Sequence, residues 1–163
     1  MKGTLVHTWI DSPVGQLLLV ASDAGLAQVG FANGSGGAAP AAASRRGEHR
    51  HLAQSQRELA EYFAGGRREF TVPLDPAGTG FQLRVWMELR AIPWGTTASY
   101  GDIARRIGAP KASRAVGAAN GRNPLAIIVP CHRVIGSSGA LVGYGGGMER
   151  KRLLLELEGA LPG

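Results

Sequence analysis

Two clusters of turn-forming residues cut the first part of this chain into three short apolar runs, and that punctuation limits the possible folds more than any other feature. Leu5 to Ile10 and Gln16 to Ala21 flank Ser12-Pro13-Val14-Gly15, and Leu26 to Phe31 follows Asp23-Ala24-Gly25. Short apolar runs separated by turn residues predict hairpinned strands in a small antiparallel sheet. From Ala32 to Gly47 the composition falls to Gly, Ala, Ser and Pro with a few charges, too little apolar surface to offset the entropy of ordering, so a mobile loop is expected. A helix then fits Glu48 to Phe63, with Leu52, Leu59 and Phe63 at compatible spacing and Gly65-Gly66 ending it. Thr71 to Leu74 is a candidate for one more strand. Asp75-Pro76-Ala77-Gly78 reads as a linker, which sets the expected domains at 1–78 and 79–163.

The pattern turns helical beyond that point. Phe81, Val85, Trp86 and Leu89 share one face of a helix that Pro93 closes. Ser99 with Asp102 three residues later makes an N-terminal box for a helix carrying Tyr100, Ile103, Ala104 and Ile107, and Gly108 stands where a terminating glycine belongs. Pro110 suits the first turn of a following helix from Lys111 to Ala119. Two short helices joined by a three-residue turn containing Gly match a helix-turn-helix, whose second helix is the one presented to DNA. That second helix has small residues, Ala112, Ala115, Gly117, Ala118 and Ala119, with Lys111 and Arg114 supplying charge. Gly117 costs a helix about 1 kcal/mol relative to Ala, which points either to close packing against a neighbour or to close approach of DNA.

Charge is concentrated in the same half. The net charge is +6. Residues 1–80 hold seven basic and seven acidic groups, while 81–163 hold eleven basic and five acidic, as a local polyanion-binding face requires. No apolar run approaches the roughly 20 residues of a membrane span and the start lacks the layout of a signal peptide, so a compact cytoplasmic protein is expected. The one cysteine, Cys131, can form neither an intrachain disulfide nor a Cys-rich zinc site. It is therefore packing or chemistry.

Leu125 to Val129 is an apolar, β-branched run that reads as a buried strand delivering Pro130-Cys131-His132-Arg133-Val134. A free thiol is only a few per cent ionised at neutral pH, so reactivity needs a base or a nearby positive charge, and His132 and Arg133 are candidates for both. Neighbouring side chains on an extended chain point opposite ways, which makes a water bridge between Cys131 and His132 the expected contact. A third group must then orient the imidazole. The helix from Met148 to Glu158 offers Glu156 and Glu158.

The stretch from Phe81 to Glu158 resembles the O6-alkylguanine-DNA alkyltransferase family almost without gaps, through FQLRVW, IPWGTTASYGDIA, IGAPKASRAVGAANGRNP, IIVPCHRVIGSSGALVGYGGG and KRLLLELE. SPVGQLLLVASDAGL and YFAGGRREFTVPLD in the first half also look like bacterial members. The resemblance implies an α+β protein with a small N-terminal sheet and helix of ribonuclease H-like type, followed by a mainly helical, winged-helix-like domain carrying the active site. It implies a repair protein that turns O6-alkylguanine, with O4-alkylthymine a second candidate, out of double-stranded DNA and moves the alkyl group to its own cysteine once. Cys131 would be the acceptor, His132 its base through water, Glu158 the partner of His132, and Tyr100 the residue that bonds the guanine ring. Arg114 would fill the space the base leaves, with Lys111, Ala112, Ser113, Ala115 and Gly117 around it on the DNA, and Asn123 would be the hinge beside the cysteine. The carbonyls of Cys131 and Val134 would accept from the guanine amino group and the amide near Tyr144 and Gly145 would donate to O6, Gly145 standing where other members carry serine. No metal, no cofactor and a monomeric protein are implied.

Two other readings compete. A non-catalytic module that flips and flags lesions lacks the cysteine, which this chain has. A Cys-His hydrolase needs a base in direct contact with the thiol and an acyl pocket, and a helix-turn-helix ahead of the cysteine is not expected there. The glycines from Gly143 to Gly147 have no following Gly-Lys-Ser/Thr, so a phosphate loop is rejected.

Overall fold

The computed structural model describes residues 4–32, 44–136 and 147–160. The chain divides into two compact units, Met1–Ala77 and Gly78–Gly163. In the first, the three predicted strands are present as β1 (Val6–Ile10), β2 (Leu17–Ala21) and β3 (Leu26–Phe31), paired antiparallel with β2 in the centre. Gly15 takes φ +100 and its amide closes on the Ser12 carbonyl at 3.0 Å, the reversal that the turn residues called for. All five residues of β2 are buried, so its Leu-Leu-Leu-Val-Ala run forms the middle of the core. Helix α1 (Arg50–Phe63) packs against β1, β2 and β3 and buries Leu52, Leu59 and Tyr62. It begins two residues later than predicted because His49 caps it, Nδ1 accepting from the His51 amide at 3.1 Å.

The predicted loop Ala32 to Gly47 is not all loop. Arg45–Arg46 forms β4, parallel to β1, so the sheet runs β3-β2-β1-β4. The Arg45 amide donates to the Leu5 carbonyl at 3.0 Å and the Gly47 amide to His7 at 3.1 Å. Two exposed arginines carry no apolar signal; backbone pairing alone makes this edge strand. Residues 33–43 of that loop lie outside the described residues. Thr71 to Leu74 forms no strand beyond a single bridge between Leu26 and Leu74. What fixes it is Glu58, a buried carboxylate on α1 that accepts from the Thr71 amide (3.0 Å), the Val72 amide (3.1 Å), the Thr71 hydroxyl (2.6 Å) and Gln54 Nε2 (3.0 Å).

In the second unit, Thr79 and Gln82 build a capping box for α2 (Gly80–Arg90), which buries Val85, Trp86 and Leu89. Gly78 lies against the Trp86 indole so closely that a Cβ there would sit 2.5 Å from the ring. After β5 (Ala98–Ser99), the Ser99/Asp102 box opens α3 (Tyr100–Arg106) as the sequence predicts, and Gly108 at φ +77 ends it. The next helix, α4, spans Ser113–Gly121 rather than Lys111 to Ala119. The Ala112 amide instead closes a turn on Ala109 at 2.8 Å, so Pro110, Lys111 and Ala112 lie in the connection. The strand predicted at Leu125 to Val129 is a second correction. The run is buried, but it folds as a compact turn, with the Val129 amide on the Leu125 carbonyl at 2.9 Å and Ile127 at φ +72. A short buried apolar run reads alike for both conformations. A 3-10 turn at Cys131–Arg133, β6 (Val134–Ile135) parallel to β5, and α5 (Met148–Leu157) complete the unit.

Burial alone would raise the Glu58 carboxyl, but its hydrogen bonds to Thr71, Gln54 and Val72 outweigh this and hold it below the ordinary value. Glu58→Gln, which turns a donor toward those donors, is expected to cost about 1–3 kcal/mol in chemical denaturation. With a depressed native pKa, this contribution is present above the unfolded value near 4.5 and lost as pH falls through the native one; the acid-sensitive component should vanish in the variant.

Candidate active site

Cys131 owes its place to the loop before it. Asn123, just past α4, donates Nδ2 to the Val129 carbonyl at 2.8 Å and accepts from the Leu125 amide on Oδ1 at 2.9 Å. One side chain thus clasps both ends of the turn. Ile127 at its apex is held in the left-handed region, which is unfavourable for a β-branched residue and persists only where the surroundings impose it. The chain leaves this turn through Pro130 into the 3-10 turn, so Cys131 and His132 are not on extended backbone as the sequence predicts. Cys131 is buried, at 6% exposure.

Below the thiol lies a buried ionic cluster. Glu158 caps the C-terminal end of α5, where the helix dipole disfavours a carboxylate. Arg133 compensates, with Nε donating to Oε1 at 2.7 Å and Nη2 to Oε2 at 3.0 Å, while Nη1 donates to the Ile92 carbonyl at 2.7 Å. His132 Nε2 lies 2.8 Å from Glu158 Oε2, and both side chains are fully buried. An ionised carboxylate only accepts, so Nε2 carries the proton and Nδ1 keeps a lone pair. Nδ1 is buried and has no hydrogen-bond partner among the described residues. Burial pushes the imidazole below its ordinary pKa, against the pull of Glu158, which keeps it neutral. Burial also works against the Glu158 carboxylate, but the hydrogen bonds from His132 and Arg133 prevail and hold it down at about 2. Glu156, the other sequence candidate, is exposed and takes no part.

The sequence leaves Arg133 as a possible activator of the thiol; its charge is instead committed to Glu158. Lys151 escapes sequence reasoning altogether: it is a fully buried lysine on α5 whose Nζ donates to the Val134 carbonyl at 2.5 Å. The signal was available, since Lys151, Leu154, Leu155 and Glu158 recur at the spacing of a buried helix face.

Tyr100, half-buried at the start of α3, has its phenol pushed up by burial and by the negative charge Cys131 carries when ionised. It lines a surface pocket of about 640 Å³ with Ser99, Asp102, Arg105, Ser113 and Ile135. Cys131 is not among the lining residues, so the pocket adjoins Tyr100 and β6 rather than opening on the sulfur. Helix α4 is fixed from behind by Trp86, whose Nε1 donates to the Ala119 carbonyl at 2.8 Å. Its outer face exposes Arg114, Ala115 and Ala118, with Lys111 exposed ahead of it and Ala112 and Ser113 partly so. A Cβ on Gly117 would meet only the Tyr100 ring, at 3.9 Å, so packing does not demand a glycine there. Tyr144 and Gly145 lie outside the described residues.

Family comparisons divide the chain in two. Residues 5–76 match the model described as "6-O-methylguanine DNA methyltransferase, ribonuclease-like domain", and residues 80–160 match the "DNA binding domain" of the same description. The chain belongs to the 6-O-methylguanine DNA methyltransferase family. A methylated-DNA--protein-cysteine methyltransferase of Mycobacterium leprae is 50% identical over 91% of this chain and 89% of its own length. One from Methanosarcina acetivorans is 49% identical over 96% and 99%. Among solved structures, Mycobacterium tuberculosis OGT in complex with DNA is similar at a TM-score of 0.87, with 49% identity over 95% of this chain and 93% of that one. The methyltransferase family thus accounts for both the α+β architecture and the DNA-binding half. Among the described residues no helix is long and apolar enough to cross a membrane, and no cluster of three or more His, Cys, Asp or Glu could hold a metal.

Glu158→Gln should be among the most damaging substitutions in the second unit, because it leaves Arg133 buried without its anion; about 3–5 kcal/mol is expected in equilibrium unfolding. The pH dependence has two parts. His132 is neutral in the native state, so stability falls as pH drops below the unfolded value near 6.5; the Glu158 contribution is present above 4.5 and lost toward 2. The variant should lose the lower step.

Proposed function

We propose that this protein repairs DNA by transferring an alkyl group from O6 of guanine to the sulfur of Cys131, once per molecule. The observation that carries the assignment is the state of His132: Nε2 is tied to a buried carboxylate, and Nδ1 is an unprotonated nitrogen one residue from the only thiol. Through a bound water, Nδ1 takes the thiol proton. The thiolate attacks the alkyl carbon, the S–C bond forms, the C–O6 bond breaks and its electron pair stays on the guanine. The base then takes up a proton relayed through the Tyr100 hydroxyl, which regains one from solvent, while His132 Nδ1 releases the proton it took from the thiol. Glu158 holds the imidazole in the tautomer that accepts, and no second nucleophile acts on the thioether.

The target carbon lies inside the base stack, so the nucleotide must leave it, at a cost of a few kcal/mol. The outer face of α4 is suited to extruding it. Ala115 and Ala118 let backbone approach a groove, Arg114 fills the emptied space, and Lys111 and Ser113 meet phosphates. Asn123 holds the cysteine turn through one bond from each polar atom of its amide, leaving a second N–H and a second lone pair for substrate. The Val134 carbonyl can accept from the guanine amino group with its second lone pair. A thiol that must stay reduced fits residence in the cytoplasm.

Incubation with duplex DNA carrying O6-methylguanine, followed by intact mass and peptide mapping, should show one added CH2 per chain on Cys131, and none in Cys131→Ser. Lesion binding with no mass gain in the unmutated protein would leave a recognition module; repeated turnover of an ester would leave a hydrolase. Arg114→Ala should slow transfer from the duplex roughly 10- to 100-fold, equivalent to about 1.4–2.8 kcal/mol, while transfer from the free base O6-methylguanine stays near normal.

A further inference from the structure

The buried face of α5 consists of Lys151, Leu154 and Leu155 and is continued by the capping residue Glu158, so it has a charge at each end. Glu158 is explained by His132 and Arg133, but nothing in the proton relay uses Lys151. Its side chain is fully buried and its Nζ donates to Val134, three residues after the acceptor sulfur. A buried ammonium is expensive unless an anion stands near it.

The charge balance of the cluster identifies that anion. The buried ionisable groups of this unit, among the described residues, are Cys131, His132 and Arg133 on the 3-10 turn and Lys151 and Glu158 on α5. Helix α2 also packs against the turn, but it buries only Val85, Trp86 and Leu89, and Tyr100 of α3 is half-buried. Arg133 engages both oxygens of Glu158 and His132 is neutral. With the thiol protonated the cluster therefore carries one surplus positive charge, and the thiolate is the group able to cancel it.

We propose that Lys151 is a positioning residue whose ammonium serves as counter-ion to the Cys131 thiolate and, through its bond to Val134, sets the strand that leaves the reactive turn. The ammonium stabilises the sulfur as thiolate without exchanging a proton itself: with the proton lost to solvent the cluster is neutral, and with it held on His132 Nδ1 the total stays at one positive charge while the ammonium gains its anion. Burial pushes the lysine down to about 8, and Cys131 is the group that pulls it back up, which is the same attraction seen from the other partner. The inference rests on Cys131 being the acceptor.

The test is the rate of Cys131 carboxamidomethylation by iodoacetamide against pH, in the full chain without DNA, beside single-turnover transfer from O6-methylguanine duplex. In the unmutated protein the midpoint of thiol reactivity should lie below about 8.5, the value of a free cysteine. Lys151→Met should move it up by about one pH unit or more, slow transfer near pH 7 about tenfold, and recover at higher pH; Lys151→Arg should restore the profile in large part. A folded Lys151→Met protein with an unshifted profile would overturn the proposal, leaving Lys151 a structural residue. If Lys151→Met does not fold, an unmutated protein whose thiol reacts only above about 8.5 overturns it equally. Failure of alkyl transfer with a low thiol midpoint would instead count against the repair reading and leave the counter-ion standing.

Discussion

The second unit is organised around one buried carboxylate. Glu158 sits at the end of a helix whose dipole opposes it, in surroundings that would favour its neutral form, and it is nonetheless held ionised by the hydrogen bonds from His132 and Arg133. That arginine has three commitments: two to the carboxylate and one to the Ile92 carbonyl beyond α2. The helix α5, the cysteine turn and the segment after α2 are therefore joined by charge-assisted hydrogen bonds rather than by apolar contact alone. Replacing such a cluster with hydrocarbon would cost little stability in principle, whereas removing one member is severe. Its value is orientation. Only an ionised Glu158 fixes the imidazole proton on Nε2 and leaves Nδ1 as a base.

The helix proposed to meet DNA is positioned by a separate set of contacts. Trp86 holds the Ala119 carbonyl, Arg84 reaches the Ile107 carbonyl at the end of α3, and the Ser99/Asp102 box sets where α3 begins. The Trp86 bond is buried and leaves Arg114, Ala115 and Ala118 of α4 exposed. A face made of Ala115 and Ala118 gains little from burial in the protein, and side chains this small are what the proposed close approach to a groove requires. Tyr100 links the two regions, lying on the Gly117 side of α4 and interacting electrostatically with Cys131.

Much of this was legible in the sequence wherever a local rule determined the outcome. The strand pattern of β1 to β3, the capping box of α3 and the left-handed Gly108 follow from turn and cap chemistry that acts within a few residues. Where the decisive contact is distant, the sequence is silent or misleading. Arg45–Arg46 becomes a strand because β1 offers it a free edge. Leu125 to Val129 has the composition of a strand and is bent into a turn by Asn123, at the cost of backbone strain at Ile127. At the site, Cys131 and His132 follow from thiol chemistry and Glu158 is selected over Glu156 by the family resemblance; the fold brings His132 and Glu158 into contact although they stand far apart in the chain. Lys151 was overlooked because a lysine in a basic helix looks like surface; only its place at the apolar spacing distinguishes it.

The separation of the carboxylate from the turn it serves has a consequence for how the protein comes into being. Glu158 follows His132 by 26 residues in the chain. At ribosomal speeds of about 5–20 residues per second, the thiol and its neighbouring imidazole are made roughly one to five seconds before the group that orients them. During that interval α2, α3 and α4 already exist as polypeptide, while Arg133 and His132 lack their anion. The sequence of both helices of the α3–α4 pair is thus complete before the imidazole can acquire the carboxylate that orients it, and the buried cluster closes only when the residue after α5 has been added.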